Sequence, residues 1–297
     1  MATGNTAARP FLACEISADR VIAARAARMR DLVEAHTSRS LPAGAVTPSL
    51  GAANITDAPA LTAVIAEALG TLAGRSRDVI AILPDAAVRV ALLEFDQLPA
   101  NQNEAAGVIR FRLKKSLPFD VEKATVSFHA WRHEQPIRVV ASVMLTSVLE
   151  EYERVFVDAG YSPGVVIPST LAALGALEAG GPALIVKVSP LATTLTIADR
   201  DQLRLFRTLE SAAVNSDPER LVEEIHPSLV FYQDHYGAEI ERVLIAGGAS
   251  ASSLRPAFGS QIEARIEDLV PERYVGGSLG SGASAGALAG AVGALLG

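Results

Sequence analysis

The sequence predicts an α/β protein of two lobes, with a small α+β subdomain inserted in the first lobe. The chain has 297 residues, which is enough for two lobes of ordinary domain size. Each half opens with a β-hairpin: Phe11 to Ile16 turns into Arg20 to Arg28, and Ala183 to Val188 turns into Thr193 to Ala198. Strands and helix-spaced apolar residues then alternate in both halves, which is typical of an α/β fold.

The composition indicates a folded, acidic protein from a reducing compartment. Hydrophobic residues make up 49% of the chain and charged residues 20%, so apolar burial can offset the entropy cost of ordering. The net charge of -7 argues against a surface built to neutralise nucleic-acid phosphates. A single cysteine, Cys14, excludes an intrachain disulfide. Met1 to Pro10 lacks a signal-peptide pattern, and Ala283 to Gly297 is shorter than a bilayer span, so we expect a cytoplasmic protein.

After the first hairpin the sequence predicts a helix and a buried strand. Apolar residues recur at helical spacing from Leu61 to Leu72, and Gly74 follows as a stop signal. Asp78 to Leu83 is mainly apolar and is ended by Pro84, which is typical of a strand buried on both faces of a sheet. A returning helix, Pro168 to Leu177, is predicted to close the lobe.

The inserted subdomain is predicted to hold three strands and a helix, followed by a second helix. Ser147 and Glu150 have the spacing of a capping box, in which the two side chains bond the free N–H groups of the first turn. The predicted elements are the strand Ala87 to Phe95, the helix Ala105 to Leu117, the strands Thr125 to Trp131 and Ile137 to Val143, and a helix from Ser147.

The second lobe is predicted to repeat the opening of the first and then to be shorter. Leu203 to Leu209 adds a third strand to the second hairpin. Asp217 and Pro218 suit the start of a long helix that Pro227 must kink or split. A strand, Val243 to Ala246, a linker at 276–286 and a small terminal helix complete the prediction. The predicted boundaries are 1–180 for the first lobe, about 86–147 for its insertion and 181–297 for the second lobe.

The inserted block carries a resemblance to a known family. Gln97 to Pro99 precedes a helix that leads into Ile109 to Phe119, a later helix ends in Ala-Gly-Tyr-Ser-Pro, and Pro168 to Leu174 follows. Two lobes that each open with a hairpin resemble the actin, Hsp70 and sugar-kinase superfamily, and these motifs are similar to those of the PilM family of type IV pilus assembly. The resemblance covers almost the whole chain. It implies an actin-like (ribonuclease H-like) fold, related to the division protein FtsA and the cytoplasmic domain of GspL.

The resemblance implies two phosphate loops, and both depart from the family pattern. In PilM-like proteins the first usually reads Asp-Ile-Gly-Ser-Ser, whose carboxylate organises magnesium and whose glycine lets the backbone approach a phosphate. Here Glu15 and Ser17 stand at these two positions. The second loop usually begins Asp-x-Gly, and here Lys187 and Ser189 replace the acid and the glycine, followed by Pro190, which has no N–H. The acid of the second loop has become a base.

A third place of nucleotide contact, the adenosine turn, keeps its glycines. Gly247-Gly248-Ala249-Ser250 follows a predicted strand, but the helical subdomain that walls the adenine in this family is reduced to one helix before it. The resemblance therefore implies a degenerate nucleotide site, with no catalytic residue, no metal site and no expected cofactor, ATP with magnesium being the alternative. Its residues are Glu15, Ser17, Lys187, Ser189, Gly247 and Gly248.

Other motifs in the sequence do not indicate catalysis. His129 and His133 are four residues apart, but they lie in a predicted strand, which favours a solvated pair over a zinc site. There is no Gly-x-Ser-x-Gly elbow, P-loop or Cys-x-x-Cys. The cations between Arg110 and Lys115 form a basic cluster, interpreted as a solvated face, with docking of an acidic partner or a lipid surface as the alternative.

The resemblance implies a scaffold of a type IV pilus assembly machine, and not an enzyme. Its partner would be the N-terminal cytoplasmic peptide of a PilN-like inner-membrane protein, which would hold the chain peripherally at the inner membrane. Nucleic acid is not an expected partner. The alternatives are an active actin-like ATPase and a GspL-like component of type II secretion. Homo-oligomerisation and the residues of the peptide groove stay open at this point.

Overall fold

A computed structural model of the chain describes residues 9–72, 74–200, 202–210, 217–248, 251, 253–277 and 284–297. Most of the predicted linker and part of the adenosine turn, Ala249 and Ser250, lie outside these residues. The described helices include none with the length and apolar character that a bilayer crossing demands.

The first sheet is built around the N-terminal hairpin. Its strand order is β3-β2-β1-β4-β8, with antiparallel pairing among β1, β2 and β3 and parallel pairing from β1 through β4 to β8. The predicted hairpin, helix and buried strand are present, while β3 and β8 were not predicted. The elements are β1 (Leu12–Ile16), β2 (Arg20–Ala26), β3 (Val33–Ser40), α1 (Ala58–Gly70), β4 (Asp78–Leu83) and β8 (Ser162–Pro168).

The inserted subdomain is a three-stranded antiparallel sheet, ordered β5-β7-β6, with one helix on it. The predicted capping box is wrong, because β7 runs directly into α3 and the N-cap is Leu145, which makes no side-chain cap bond. The predicted helix Ala105 to Leu117 also extends too far, since α2 ends at Leu113. The elements are β5 (Arg89–Phe95), α2 (Gln102–Leu113), β6 (Ala124–Trp131), β7 (Ile137–Leu145) and α3 (Thr146–Asp158).

The chain returns to the first lobe through a shorter helix than predicted. Pro168 ends strand β8, so only α4 (Ser169–Ala173) is α-helical, and a 3-10 turn (Leu174–Ala176) follows it. The predicted helix Pro168 to Leu177 is therefore corrected at both ends.

The second sheet repeats the order of the first: β11-β10-β9-β12-β13, antiparallel across β9, β10 and β11 and parallel across β9, β12 and β13. Asp217 caps the long helix by accepting from the N–H groups of Glu219 and Arg220, and the helix continues through Pro227 without splitting. The elements are β9 (Ala183–Val188), β10 (Thr193–Asp199), β11 (Gln202–Leu209), α5 (Pro218–Tyr236), β12 (Arg242–Gly247), α6 (Leu254–Gln261), the unpredicted β13 (Arg265–Asp268) and α7 (Ala289–Leu296).

Most contacts of the terminal helix α7 are with the first lobe, whereas the resemblance to actin-like folds implies packing on the second lobe. It contacts β1, β2, β4 and α4. A core of mainly small residues allows this position, because it fills the space between the two sheets with side chains from both. Gly293 brings α7 against α4 so closely that a Cβ would overlap the carbonyl oxygen of Ala172.

Candidate functional site

Two equivalent turns face each other where the lobes meet. In the first lobe β1 carries Glu15, and the N–H of Ser17 then donates to the carbonyl of Arg20 at 2.9 Å. In the second lobe β9 carries Lys187, and the N–H of Ser189 donates to the carbonyl of Ala192 at 2.9 Å. Because the two sheets have the same strand order, Glu15 and Lys187 occupy matching positions.

An ion pair joins these two positions across the lobes. The Lys187 ammonium donates to Oε1 of Glu15 at 3.0 Å, and the two residues are 5% and 6% exposed. Burial lowers the pKa of Lys187, but the charges of Glu15 and Asp85 and the hydrogen bond to Glu15 outweigh it, so the pKa lies above its ordinary value. Lys187 is therefore a buried cation at neutral pH.

Asp85 forms a second polar link between the lobes. It follows β4 directly after Pro84, and its carboxylate accepts from the N–H of Thr170 at 2.9 Å and from the hydroxyl of Thr170 at 2.5 Å. The hydroxyl of Thr194, on β10 of the second lobe, donates to the same carboxylate at 3.0 Å. All three residues are buried.

The carboxylate of Glu15 is enclosed from three sides. The Ser169 hydroxyl donates to the same oxygen that Lys187 contacts, while Oε2 is buried and has no hydrogen-bond partner among the described residues. Gly290 of α7 lies against Oε2, and a Cβ there would overlap it. Helix α7 thus covers the site on the side where Oε2 of Glu15 lies.

The structure brings all six predicted site residues to one cleft of about 310 Å³ between the lobes. The sequence did not indicate Asp85, Ser169 and Thr194, which support this cleft. The signal that could have found Asp85 is its place directly after a buried strand, at the sheet edge where Glu15 is the second-last residue of its own strand. The predicted residues lining the cleft are Glu15, Ser17, Lys187, Ser189, Gly247 and Gly248.

The residues of this cleft do not fit a magnesium ion. Lys187 puts a positive charge directly on the carboxylate that the ion would need, and a lysine offers only donors. Among the described residues no group of three or more His, Cys, Asp or Glu side chains could hold a metal. The two candidate histidines do not converge, since His129 lies on β6 against the ring of Trp131 and His133 lies beyond that strand.

A second feature is an apolar groove between the insertion, the first lobe and the β10–β11 hairpin. Its volume is about 520 Å³. Strand β6 forms one wall, and no described strand pairs with the outer edge of β6. We call this set the apolar groove: His129, Trp131, Val140, Leu171, Leu174, Leu177, Ala198, Arg200, Gln202 and Leu203.

Comparison with known proteins rests on structure, since no protein-family model and no curated protein matches the chain. A Bacteroides thetaiotaomicron protein with an actin-like ATPase fold and unknown function aligns over 88% of this chain and 92% of its own, with a TM-score of 0.55 and 11% identity. The chain has the actin-like ATPase fold. This confirms the predicted fold class and explains why the two sheets share one strand order.

Two further neighbours with the actin-like fold belong to a type IV pilus complex and to a type II secretion system. A chain of the PilM-PilN type IV pilus biogenesis complex aligns over 96% of this chain and 97% of its own, with a TM-score of 0.78 and 19% identity. The cytoplasmic domain of EpsL, an inner membrane component of the type II secretion system of Vibrio cholerae, aligns over 79% and 81%, with a TM-score of 0.52 and 12% identity. Both likenesses are of the actin-like fold.

Proposed function

We propose that this chain is a non-catalytic scaffold of a type IV pilus assembly machine. In this role it binds the N-terminal cytoplasmic peptide of a PilN-like inner-membrane protein, and that partner holds it at the cytoplasmic face of the membrane. The observation that carries the proposal is the Glu15–Lys187 pair, which places an internal ion pair in the wall of the nucleotide cleft of the fold. The likeness to a chain of the PilM-PilN complex supports the choice of a PilN-like protein as the partner.

The buried ion pair argues against nucleotide hydrolysis. In this fold the acids of both phosphate loops would hold the metal ion that neutralises the phosphates, and Lys187 already neutralises the one acid that remains in those loops. The rigid link between lobes that an ion and nucleotide would create is supplied instead by Lys187 and by the Asp85 hydrogen bond to Thr194. A scaffold needs that rigidity and does not need turnover.

We expect calorimetry with magnesium and ATP to show no magnesium-dependent binding by the unmodified chain. The Lys187→Asp variant should behave differently: two buried acids face each other there, so magnesium is expected to raise its melting temperature. The same titration with the Arg39→Asp variant, whose site is exposed, is the matched control. ATP turnover by the unmodified chain that Glu15→Gln abolishes would contradict a non-catalytic role.

The apolar groove is the place we propose for the peptide. Trp131, Leu171 and Leu174 give it apolar walls, and the unpaired edge of β6 offers backbone groups to an extended chain. Extended peptides bind in this way, since backbone pairing gives affinity and side-chain pockets give specificity. Arg200 at the rim suits a peptide with an acidic residue beside its apolar anchors.

The test is a fluorescence titration with a labelled peptide that copies the cytoplasmic N-terminus of the membrane protein encoded beside this chain. We expect binding, and we expect Trp131→Ala to weaken it about thirtyfold, as is usual for a buried aromatic anchor. Phe111→Ala removes an aromatic ring that lines no part of the groove and should leave the affinity unchanged. Absence of binding at high micromolar peptide would contradict the proposed function.

A further inference from the structure

A group of exposed cations surrounds an exposed aromatic ring at the C-terminal end of α2. Phe111 is 82% exposed and Val108 is 37% exposed, and they share one helix face with Arg112 because residues three and four apart are neighbours. Lys114 and Lys115 are exposed in the turn that follows. We call this surface the basic-aromatic face: Val108, Phe111, Arg112, Lys114 and Lys115.

The cations of this face form no ion pairs among the described residues, and the flanking acids in the sequence are Glu104 and Asp120. From Ala105 to Phe119 the chain contains no Asp or Glu, although its net charge is -7. A helix C-terminus favours cations through its dipole, but that effect does not account for a phenylalanine left in water at the same place.

Arg112 reaches a cleft of about 320 Å³ that Glu94, Trp131 and Tyr236 also line, but the Phe111 ring does not line that cleft. Phe111 lines none of the clefts described above, and its helix packs through the opposite face, which carries Ala105, Ile109 and Leu113. A projecting aromatic ring with cations beside it suits a deformable surface, into which the ring can insert. The headgroup region of an anionic bilayer is such a surface, since it attracts Lys and Arg and accommodates aromatic rings.

We propose that the basic-aromatic face binds the surface of an anionic phospholipid bilayer directly. This goes beyond the proposed function, in which a protein partner makes the membrane link. The contact is weak by itself, because it offers three cations and one ring. It acts together with the partner peptide, since two linked contacts raise the effective concentration of each other.

The experiment is sedimentation of the full chain with vesicles of phosphatidylglycerol and phosphatidylcholine in equal parts, and with vesicles of phosphatidylcholine alone. Binding is expected to the first and not to the second, and to weaken at high salt. The variant Arg112→Gln/Lys114→Gln/Lys115→Gln should bind about a hundredfold more weakly, at about fivefold for each cation. Phe111→Ser should weaken binding as well.

A matched variant controls for charge alone. Arg28→Gln/Arg75→Gln/Arg154→Gln removes three exposed cations elsewhere and should bind like the unmodified chain. As an independent readout, tryptophan introduced by Phe111→Trp in a Trp131→Phe background should shift its emission to the blue on anionic vesicles. Equal binding to both vesicle types, or an unchanged triple variant, would overturn the proposal. So would binding of a glutamate-rich peptide at this face without vesicle binding, which would assign it to an acidic protein.

The outcome is independent of the peptide titration. Trp131→Ala is expected to weaken peptide binding and to leave vesicle binding unchanged, while Phe111→Ser is expected to do the reverse. Failure of the membrane proposal therefore leaves the scaffold proposal standing. The two failures are distinguished by whether Trp131→Ala or Phe111→Ser loses binding, and by whether the lost ligand is the peptide or the vesicle.

Discussion

Replacing Lys187 by methionine is expected to lower the free energy of unfolding by about 3–5 kcal/mol, because it leaves the Glu15 carboxylate buried without its counter-ion. The volume of the side chain is nearly kept, so lost packing contributes little. Urea unfolding of the variant and the unmodified chain gives the difference. The effect is large because the pair is almost fully buried and a hydrogen bond joins the two charges.

The double variant Glu15→Gln/Lys187→Met should recover more than half of that loss, since neither buried charge then remains. Arg39→Met is the control: its pair with Glu67 has side chains 35% and 61% exposed, so the loss should stay below about 1 kcal/mol. Equal losses at the two sites would refute a special role for the buried pair.

The same comparison at rising pH checks the charge state of Lys187. Its folded-state pKa is raised, so its contribution to stability is complete below the ordinary value of 10.5 and is lost as the pH rises through the raised value. The gap in stability between the unmodified chain and Lys187→Met should therefore narrow only at strongly alkaline pH.

Replacing Gly293 by alanine is expected to cost about 3 kcal/mol, at the upper end for an overpacked core site. The new Cβ would overlap the carbonyl oxygens of Ala172 and Ala173, which belong to the backbone of α4 and cannot turn aside. Helix α7 must then move away from β1 and β2, so amide hydrogen exchange in both strands should quicken as stability falls.

Gly107 provides the matched control for this glycine. It also lies inside a helix, α2, but a Cβ there would meet no atom within 4 Å. Gly107→Ala is expected to leave stability unchanged or to raise it by about 0.5–1 kcal/mol through helix propensity. If both substitutions change the stability by the same amount, the close approach of α7 to α4 is not what fixes the position of α7.

Sequence patterns located the interior strands of each sheet and the edge strands β5, β6 and β11, but they missed the edge strands β3, β8 and β13. Apolar runs such as Asp78–Leu83 and Ala183–Val188 identify strands buried on both faces. Strands β3 and β13 mix polar with apolar residues, and β8 contains Pro163 and Gly164, so backbone pairing with a neighbour defines these edge strands more than their own composition does.

The sequence indicated six residues that line the cleft, but it indicated neither the supporting residues Asp85, Ser169 and Thr194 nor the arrangement of the site. Resemblance to known phosphate loops indicated Glu15 and Lys187 separately. Their ion pair depends on how the two sheets face each other, which neither local sequence contains. The same limit applies to α7, whose Ala- and Gly-rich sequence suits a tight space on either lobe and therefore does not say which one it occupies.

The position of α7 has a consequence for the order of events during synthesis. One face of the first sheet is covered by residues 289–296, about 270 positions after β1 and β2 and about 210 positions after β4. While the ribosome makes the intervening chain, that apolar face has no native cover. The N-terminal lobe therefore cannot finish folding as an independent unit during translation, and a nascent chain halted before Ala289 would be a natural client of chaperones that bind exposed apolar surface.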